Sequence, residues 1–238
     1  ADAYSHKAAA FQNLVEILKE SSELWDVFTR KEEYAPGMLD RHSRFPHYLS
    51  SQKNCLDARV SQYLRDHGWC MTYPEGKRFA VCLTHDIDCI YISKDCIFDI
   101  LKNMGTQPGA RANIAMRIPL YLIRQKTNPI WNFKDIINLE KEYNAKSTFF
   151  FLTAEMDLGR AVNYRIEALK DELKHIRAEG WDVGLHCGYH SYDQLKELKK
   201  EKARLERVLG KEISGCRNHY LRFKVPDTWE LLSQAGFK

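Results

Sequence analysis

The spacing of hydrophobic positions along this chain changes at about residue 75. Before that point apolar side chains recur every three or four residues, which predicts amphipathic helices over residues 11–18, 24–28 and 58–66. The second of these is preceded by Ser21, a residue type that commonly caps the first turn of a helix. Residues 1–75 are therefore predicted to form an α-helical N-terminal portion whose apolar stripes pack against the rest of the chain.

Beyond residue 75, short β-prone runs alternate with amphipathic helical segments. The first strand is apolar enough at residues 78–83 to be buried on both faces. Residues 89–130 are expected to form an irregular insertion. The predicted strands cover residues 78–88, 147–152, 181–185 and 213–216, and the predicted helices cover 133–139, 166–178, 191–209 and 226–235. This alternation predicts a parallel α/β sheet within residues 76–238, and in such sheets the chemistry gathers at the carboxyl ends of the strands.

Composition and charge narrow the class of protein. Of the 238 residues 44% are hydrophobic, which is enough for a core. The 36 Lys and Arg residues are interspersed with 32 Asp and Glu residues, so no basic patch indicates nucleic-acid binding. The seven cysteines include no Cys-x-x-Cys pair, which favours reduced thiols over a disulfide framework. The sequence has no apolar run long enough for a membrane span and no signal-peptide pattern at its start, so we expect a cytoplasmic protein.

Two carboxylates, Asp86 and Asp88, follow directly on the apolar run at residues 78–83. Acidic side chains are costly to bury, so a pair placed where a buried strand ends usually has a charged or metallic partner. The alternative is that the Asp-x-Asp pair caps a turn or a helix.

Polar side chains also follow the third and fourth predicted strands. His186 and His190 come after the third strand, and Arg217 and Tyr220 come after the fourth. Two imidazoles and one carboxylate are typical of a catalytic zinc site that keeps a position for water, although the two histidines could also be unrelated. In such a site a second carboxylate would act as general base, Arg217 would be its charge partner, and a backbone N–H would face the oxyanion. Together with the metal, these groups would hydrolyse an amide or an ester.

The motifs that carry these residues follow one another in a recognisable order. They are Leu-Thr-His-Asp-Ile-Asp, Lys-Ser-Thr-Phe-Phe-Phe-Leu, Gly-Leu-His-Cys-Gly-Tyr-His and Arg-Asn-His-Tyr-Leu-Arg. Over about residues 76–238 this order resembles the polysaccharide deacetylase (NodB-homology) family, and most of all the branch found with surface-polysaccharide biosynthesis. The resemblance implies a distorted (β/α) barrel that removes N- or O-linked acetyl groups from sugars with the help of a divalent metal ion, zinc being expected and cobalt, nickel or manganese being alternatives.

The resemblance also implies a role for each matching residue. His186 and His190 match the histidine ligands of the metal. Asp86 matches the catalytic base, Arg217 matches the arginine that braces this base, and Tyr220 matches the tyrosine whose backbone N–H contributes to the oxyanion hole.

This sequence departs from the family pattern near the acidic pair. Ile87 stands where the family usually has its second aspartate, so the metal-binding role is assigned to Asp88, although Asp88 and Asp86 could exchange roles. His219 and Arg222 are predicted to contact the substrate.

The chain reaches Lys238 without a counterpart of the family's later strands or of its late histidine, the general acid. We therefore expect a barrel that is incomplete at its C-terminus. Two alternatives to a sugar deacetylase stay open: a hydrolase of a non-sugar amide on the same fold, and a catalytically silent glycan-binding or assembly protein. The pattern leaves the oligomeric state undecided.

Overall fold

The structure is a computed structural model that describes residues 2–34, 36–54, 56–69, 73–91, 130–157 and 160–238. The chain divides into two compact units. The first contains residues 1–81 and 222–229, and the second contains residues 82–221 and 230–238. Within the described residues, no helix is both long and apolar enough to cross a membrane.

Three helices build the first unit. Helix α1 spans Asp2–Lys19, α2 spans Ser22–Phe28 and α3 spans Arg59–Asp66. Short 3₁₀ turns at Lys31–Glu33, His47–Leu49 and Pro74–Gly76 lie between and after them. One buried leucine from each helix forms the small core of this unit: Leu18, Leu24 and Leu64.

The helix boundaries of this unit follow from local chemistry. The Ser21 hydroxyl accepts a hydrogen bond from the backbone N–H of Leu24 at 3.4 Å, so Ser21 is the predicted cap of α2. Past α3 the chain turns at Gly68, whose φ of +78° lies in the left-handed region that favours glycine. The helical character predicted for this part of the chain is therefore present, although the division at residue 75 stays a prediction.

A four-stranded parallel sheet forms the centre of the second unit. Its strands are β1 (Leu83–Ile87), β2 (Ser147–Leu152), β5 (Asp182–Cys187) and β6 (Cys216–Asn218), in the order β1-β2-β5-β6. Two further strands, β3 (Met156–Asp157) and β4 (Arg160–Ala161), pair antiparallel with each other. Parallel strands need crossover connections, and helices supply them here.

The helices of the second unit cover the sheet. Among the residues that the structure describes, they are α4 (Phe133–Glu142), α5 (Lys170–Ala178, continuing a 3₁₀ turn at Ile166–Leu169), α6 (Leu195–Leu209, after a 3₁₀ turn at Ser191–Asp193) and α7 (Asp227–Gln234, which bridges the two units in sequence). A last 3₁₀ turn spans His219–Leu221. The core they enclose includes Ile137, Phe149, Phe151, Leu173, Ile176, Leu185, Leu198 and Leu205. The predicted parallel α/β arrangement is therefore confirmed.

Two strand predictions need correction. The apolar run at residues 78–82 is not a buried strand, since β1 begins at Leu83 and the side chains of Phe79 and Val81 are 70% and 68% exposed. Pairing starts at Leu83 because its partner in β2 is Ser147, the first residue of that strand. The last strand likewise begins at Cys216 and not at residue 213. The insertion predicted over residues 89–130 lies outside the described residues except at its two ends.

Candidate metal centre

The register of the sheet brings the predicted site residues to one edge. Phe151 in β2 pairs with Ile87 on one side and with Leu185 on the other, and His186 pairs with Arg217 in β6. Asp88 is the first residue after β1, so it emerges at the same edge as His186. The carboxyl ends of parallel strands thus collect an acid, an imidazole and a guanidinium, as the sequence predicted.

A buried tyrosine fixes the end of β1 from which Asp88 emerges. The Tyr164 hydroxyl donates to the backbone carbonyl of Ile87 at 2.7 Å and accepts from the backbone N–H of Leu152 at 2.8 Å. Burial raises the pKa of this phenol well above its usual value, so the hydroxyl stays protonated and keeps both bonds. The position of Asp88 is therefore set by the core of the unit and does not depend on loop packing alone.

Three side chains at this edge can hold one cation. Ligand atoms of Asp88, His186 and His219 all lie within 4.8 Å of one another. A carboxylate oxygen of Asp88 is 3.2 Å from Nε2 of His186 and 3.6 Å from Nε2 of His219. His186 is nearly fully buried and His219 is largely buried, whereas Asp88 is 57% exposed. The group is thus anchored on the protein side and open on the solvent side.

The hydrogen bonds of His186 define which of its nitrogens is available. Nδ1 lies 2.9 Å from the backbone carbonyl of Arg217, an acceptor only, so Nδ1 carries the proton and Nε2 faces Asp88. Burial lowers the pKa of His186, but the bonds to Asp88 and to the Arg217 carbonyl outweigh it and leave the pKa raised. The same bond from His186 holds the pKa of Asp88 below its usual value. The pair therefore favours a positive charge between its atoms, whether a proton or a metal ion supplies it.

These residues fit a zinc-like ion on donor type and spacing. Two imidazole nitrogens and one carboxylate oxygen are a usual donor set for a catalytic zinc site. Ligand atoms bound tetrahedrally at about 2.0–2.2 Å from zinc lie about 3.3–3.6 Å apart, close to the 3.2 Å and 3.6 Å that separate Asp88 from the two histidines. The backbone carbonyl that accepts from Nδ1 of His186 is the kind of outer partner that orients metal-binding histidines.

His190, predicted as the second histidine ligand, does not belong to this group. It is exposed, and its ring packs edge-on against Tyr189 with ring centroids 5.0 Å apart. His219, predicted to contact substrate, occupies the position beside Asp88 and His186. Sequence reasoning did not place His219 in this group because a His-x-x-x-His spacing is a familiar metal pattern. The sequence feature that could have pointed to His219 is its position two residues after Arg217, directly beyond the end of β6.

Arg217 lies beside Asp86, and its role as the brace of a catalytic base stays a prediction. Its Nη1 lies 3.3 Å from the carboxylate of Asp86, and its Nη2 donates to the Thr84 hydroxyl at 2.8 Å. The guanidinium also lies over the ring of Phe150, 5.0 Å from the ring centroid. Gly184 makes room for that ring, because a Cβ at Gly184 would lie 2.5 Å from Phe150 Cε1. Arg217 is thereby fixed between β1 and β2, and Asp86 has a positive charge beside it.

Tyr220 lies in a strained turn beyond β6. Its φ of +55° and that of Leu221, +53°, place two consecutive non-glycine residues in the left-handed region. The Tyr220 ring packs against His219 on one side and Tyr189 on the other, with ring centroids 4.6 Å and 5.6 Å apart. This turn presents His219 and Tyr220 at the same edge as Asp88. The oxyanion role of the Tyr220 backbone N–H stays a prediction.

Arg222, predicted to contact substrate, belongs to the first compact unit and is buried. Its Nε donates to the backbone carbonyl of His42 at 2.8 Å, and its Nη2 donates to the Ser43 hydroxyl at 3.3 Å. These bonds tie it to the loop at residues 42–43. The geometry gives it a structural role, and substrate contact by Arg222 stays a prediction.

The parallel sheet covered by helices, with charged groups at the carboxyl ends of its strands, places the second unit in the α/β class of proteins. Residues 129–238 match the model of the polysaccharide deacetylase family, so the resemblance seen in the motifs of this part of the chain is confirmed. The match includes His186, Arg217 and His219 and begins after Asp86 and Asp88.

The similarity of this chain to individual known proteins is limited. No curated protein matches the sequence. A crystal structure from Mycobacterium smegmatis, assigned by its name to the polysaccharide deacetylases, shares 21% sequence identity with this chain. The similarity covers 70% of this chain and 52% of the other, with a TM-score of 0.45. The chain thus spans about half the length of that protein.

Proposed function

We propose that this chain carries the metal centre of a carbohydrate deacetylase, which hydrolyses an N- or O-linked acetyl group on a sugar. The proposal rests chiefly on one observation: the Asp88, His186 and His219 ligand atoms gather within 4.8 Å, beside the Asp86 carboxylate that Arg217 braces. The match of residues 129–238 to the polysaccharide deacetylase family supports a carbohydrate as the substrate. We further propose that residues 76–238 are part of a distorted (β/α) barrel and that the enzyme serves surface-polysaccharide biosynthesis, in the cytoplasm.

In this proposal Asp88, His186 and His219 hold the ion, with zinc the first candidate and cobalt, nickel or manganese as alternatives. A bound divalent ion would supply Lewis acidity toward the acetyl carbonyl and toward the attacking water. Asp88 contributes negative charge from the solvent side, and the buried His186 is kept in one orientation by the Arg217 carbonyl. The open side of Asp88 leaves space for water and substrate.

Asp86 is the proposed general base. Its carboxylate accepts a proton from the attacking water as the water oxygen bonds to the acetyl carbon. The guanidinium of Arg217, 3.3 Å away, is the charge partner of this carboxylate and limits its freedom to rotate. The backbone N–H of Tyr220 is the proposed donor to the oxyanion. The proton taken up by Asp86 then passes to the leaving nitrogen or oxygen as the C–N or C–O bond breaks, which releases acetate and the free amine or hydroxyl of the sugar.

The first experiment measures metal content and acetate release on the same samples. Elemental analysis of the full chain should find about one divalent ion, and His186→Ala, Asp88→Ala and His219→Ala should each lose it. His190→Ala is the matched control and should keep the ion. Absence of metal in the unmodified protein, even after addition of zinc, cobalt, nickel or manganese, would reject the proposal.

The second experiment separates catalysis from binding. Asp86→Asn should keep the metal but lower acetate release from acetylated sugars by about 10²- to 10⁴-fold, the usual contribution of a general base. Equal activity in Asp86→Asn and the unmodified protein would show that Asp86 is not the base. Retained metal without acetate release from any sugar or amide tested would indicate a catalytically silent glycan-binding protein.

A further inference from the structure

Asp88 is the most exposed of the three proposed ligands, so its place in the metal centre depends on the backbone beneath it. Its side chain is 57% exposed, whereas those of His186 and His219 are 3% and 13% exposed. The register between β1 and β2 ends at Ile87, one residue before Asp88. Other contacts must therefore fix the chain where Asp88 approaches the two imidazoles, at 3.2 Å and 3.6 Å.

The hydroxyl of Tyr164 holds the chain on the N-terminal side of Asp88. It donates to the backbone carbonyl of Ile87 at 2.7 Å and accepts from the backbone N–H of Leu152 at 2.8 Å, so it joins the ends of β1 and β2. Tyr164 is 6% exposed and packs in the main core of the second unit. Losing either bond would leave a buried polar group without its partner, so the hydroxyl keeps the two strand ends in one arrangement.

The neighbouring side chain, Asn163, holds the chain on the other side of Asp88. Its Oδ1 accepts from the backbone N–H of Ile90 at 3.1 Å, and its Nδ2 donates to the backbone carbonyl of Tyr91 at 2.7 Å. A side-chain amide offers both a donor and an acceptor, so Asn163 bonds this segment as a neighbouring strand would. The side chain of Ile90 is fully buried in the core, which keeps the segment close to Asn163.

Asn163 and Tyr164 are consecutive, and together they hold the backbone on both sides of Asp88. We refer to these two residues as the 163–164 clamp. They lie between β4 and the 3₁₀ turn at Ile166–Leu169, whose first and last side chains are buried in the core. The clamp is thus attached to the core of the unit, and it fixes backbone groups at both ends of residues 87–91.

Fixed spacing between ligands favours the ions that match it. The separations of 3.2 Å and 3.6 Å between Asp88 and the histidines suit zinc bound tetrahedrally at about 2.0–2.2 Å. Manganese prefers an octahedral set of oxygen ligands, so it gains less from three compact donors of this kind. Because geometry and ligand type discriminate between such ions, fixing Asp88 favours zinc over manganese.

We infer that Asn163 and Tyr164 are positioning residues of the metal centre, which set its affinity and its preference for a zinc-like ion through the backbone around Asp88. The inference rests on the proposed function and adds two residues that act on the ion only through a ligand. Sequence spacing did not indicate them, because Tyr164 lies 77 positions along the chain from the carbonyl that it bonds, that of Ile87.

Metal titrations into two variants of the full chain test this inference. Tyr164→Phe removes the hydroxyl and keeps the ring, and Asn163→Ala removes the amide. Each should weaken zinc binding by about 10- to 100-fold, the usual effect of changing an outer partner of a metal ligand. Manganese binding should weaken by a smaller factor, so the ratio of zinc to manganese affinity falls. Competition with a chelator of known affinity measures both ions.

Ser147→Ala is the matched control, because it removes a buried hydroxyl from the same sheet. Ser147 is the first residue of β2, and its hydroxyl bonds Glu140 and not the chain around Asp88. Both metal affinities should stay unchanged in this variant. Partial unfolding weakens the binding of every ion by the same factor, so a general loss of stability would leave the zinc-to-manganese ratio as it is.

Cobalt bound in place of zinc gives a second readout, because its visible absorption depends on coordination geometry. The spectrum should change in Tyr164→Phe and in Asn163→Ala and stay the same in Ser147→Ala. If Tyr164→Phe does not fold, as urea unfolding of the metal-free protein would show, Asn163→Ala carries the test alone.

Two results would overturn this inference and leave the proposed function in place. They are zinc affinity in both clamp variants equal to that of the unmodified protein, and equal losses for zinc and manganese, which would indicate only a weakened fold. Absence of metal binding by the unmodified protein would instead reject the proposed function and this inference together.

Discussion

Two carboxylates in the second unit each meet a histidine, yet their surroundings differ. Glu140 on α4 accepts from Nε2 of His85 at 2.8 Å, and Asp88 lies 3.2 Å from Nε2 of His186. Glu140 is almost fully buried and also accepts from the Ser147 hydroxyl and the indole N–H of Trp181. Asp88 is 57% exposed, and it is faced by the Nε2 atoms of two imidazoles, His186 and His219, which can bind a cation.

The contrast shows what separates a structural acid–histidine pair from a candidate functional one. Donors within the protein occupy both oxygens of Glu140, so no ligand is needed to compensate its charge. Asp88 keeps an open side, and its partners in the part of the chain that the structure describes, His186 and His219, can share its charge with an ion. Both pairs combine a carboxylate with a histidine. They differ in how deeply the carboxylate is buried and in how many hydrogen-bond donors of the protein are fixed around it.

The largest expected effect is the difference in zinc affinity between two alanine variants, one at His186 beside Asp88 and one at His85 beside Glu140. His186→Ala should weaken zinc binding by more than about a hundredfold, because it removes a ligand from a three-residue set. His85→Ala, on the same sheet but beside Glu140, should leave zinc affinity unchanged. Calorimetric titration of zinc into both variants measures the difference, and equal losses would mean that the two pairs are not distinct.

A second comparison uses thermodynamic stability. Glu140→Ala should lower the free energy of unfolding by about 2–3 kcal/mol, because it leaves buried donors without an acceptor. Glu142→Ala, an exposed carboxylate on the same helix, is the control and should change it by no more than about 0.5 kcal/mol. Urea unfolding measures both; a stability loss in Glu142→Ala as large as that in Glu140→Ala would contradict this reading of the network.

The pH dependence of stability should also come from Glu140. Burial raises its pKa, but hydrogen bonds from His85, Trp181 and Ser147 outweigh burial and hold the pKa below its ordinary value of 4.5. A carboxylate with a lowered folded-state pKa contributes stability that is complete above pH 4.5 and is lost as pH falls through the folded-state pKa. Unfolding of Glu140→Gln between neutral and acidic pH should therefore show a shallower decline than the unmodified protein, and parallel curves would exclude this contribution.

The smallest expected effect isolates one donor of the buried network. Ser147→Ala removes the hydroxyl that lies 2.9 Å from Glu140 and leaves little empty space. We expect a loss of about 1 kcal/mol in the free energy of unfolding, with zinc affinity unchanged. A change in zinc affinity would show that the two polar groups communicate through the sheet.

Much of the fold was predictable because short-range signals determine it. Residues 147–152 form β2 as predicted, since a run of β-branched and aromatic residues bounded by turns has few alternatives. The helix that ends at Leu209 is followed by Gly210 in a left-handed conformation, as its sequence suggested. The start of β1 was misplaced because strand pairing depends on where the partner begins, which the run at residues 78–82 does not encode.

The candidate site was predictable only in part, for a related reason. Strand ends can be located from sequence, so Asp86, Asp88, His186 and Arg217 were expected at one edge, and the structure brings them there. The paths of the loops beyond the strands depend on contacts between residues that are far apart in sequence. One example is the hydrogen bond from the backbone N–H of Gly188 to the carboxylate of Glu201, 13 positions later in the chain. Spacing alone therefore could not show that His219 approaches Asp88 while His190 packs against Tyr189.

Arg217 serves the candidate site through both its main chain and its side chain. Its carbonyl accepts from His186, and its guanidinium holds Asp86. Since β6 has only three residues, a register slip of one position would turn the Arg217 side chain to the other face of the sheet and move its carbonyl away from His186. The proposed metal ligand His186 and the proposed base Asp86 therefore both depend on this one residue, and a substitution that shifts the short strand would disturb both together.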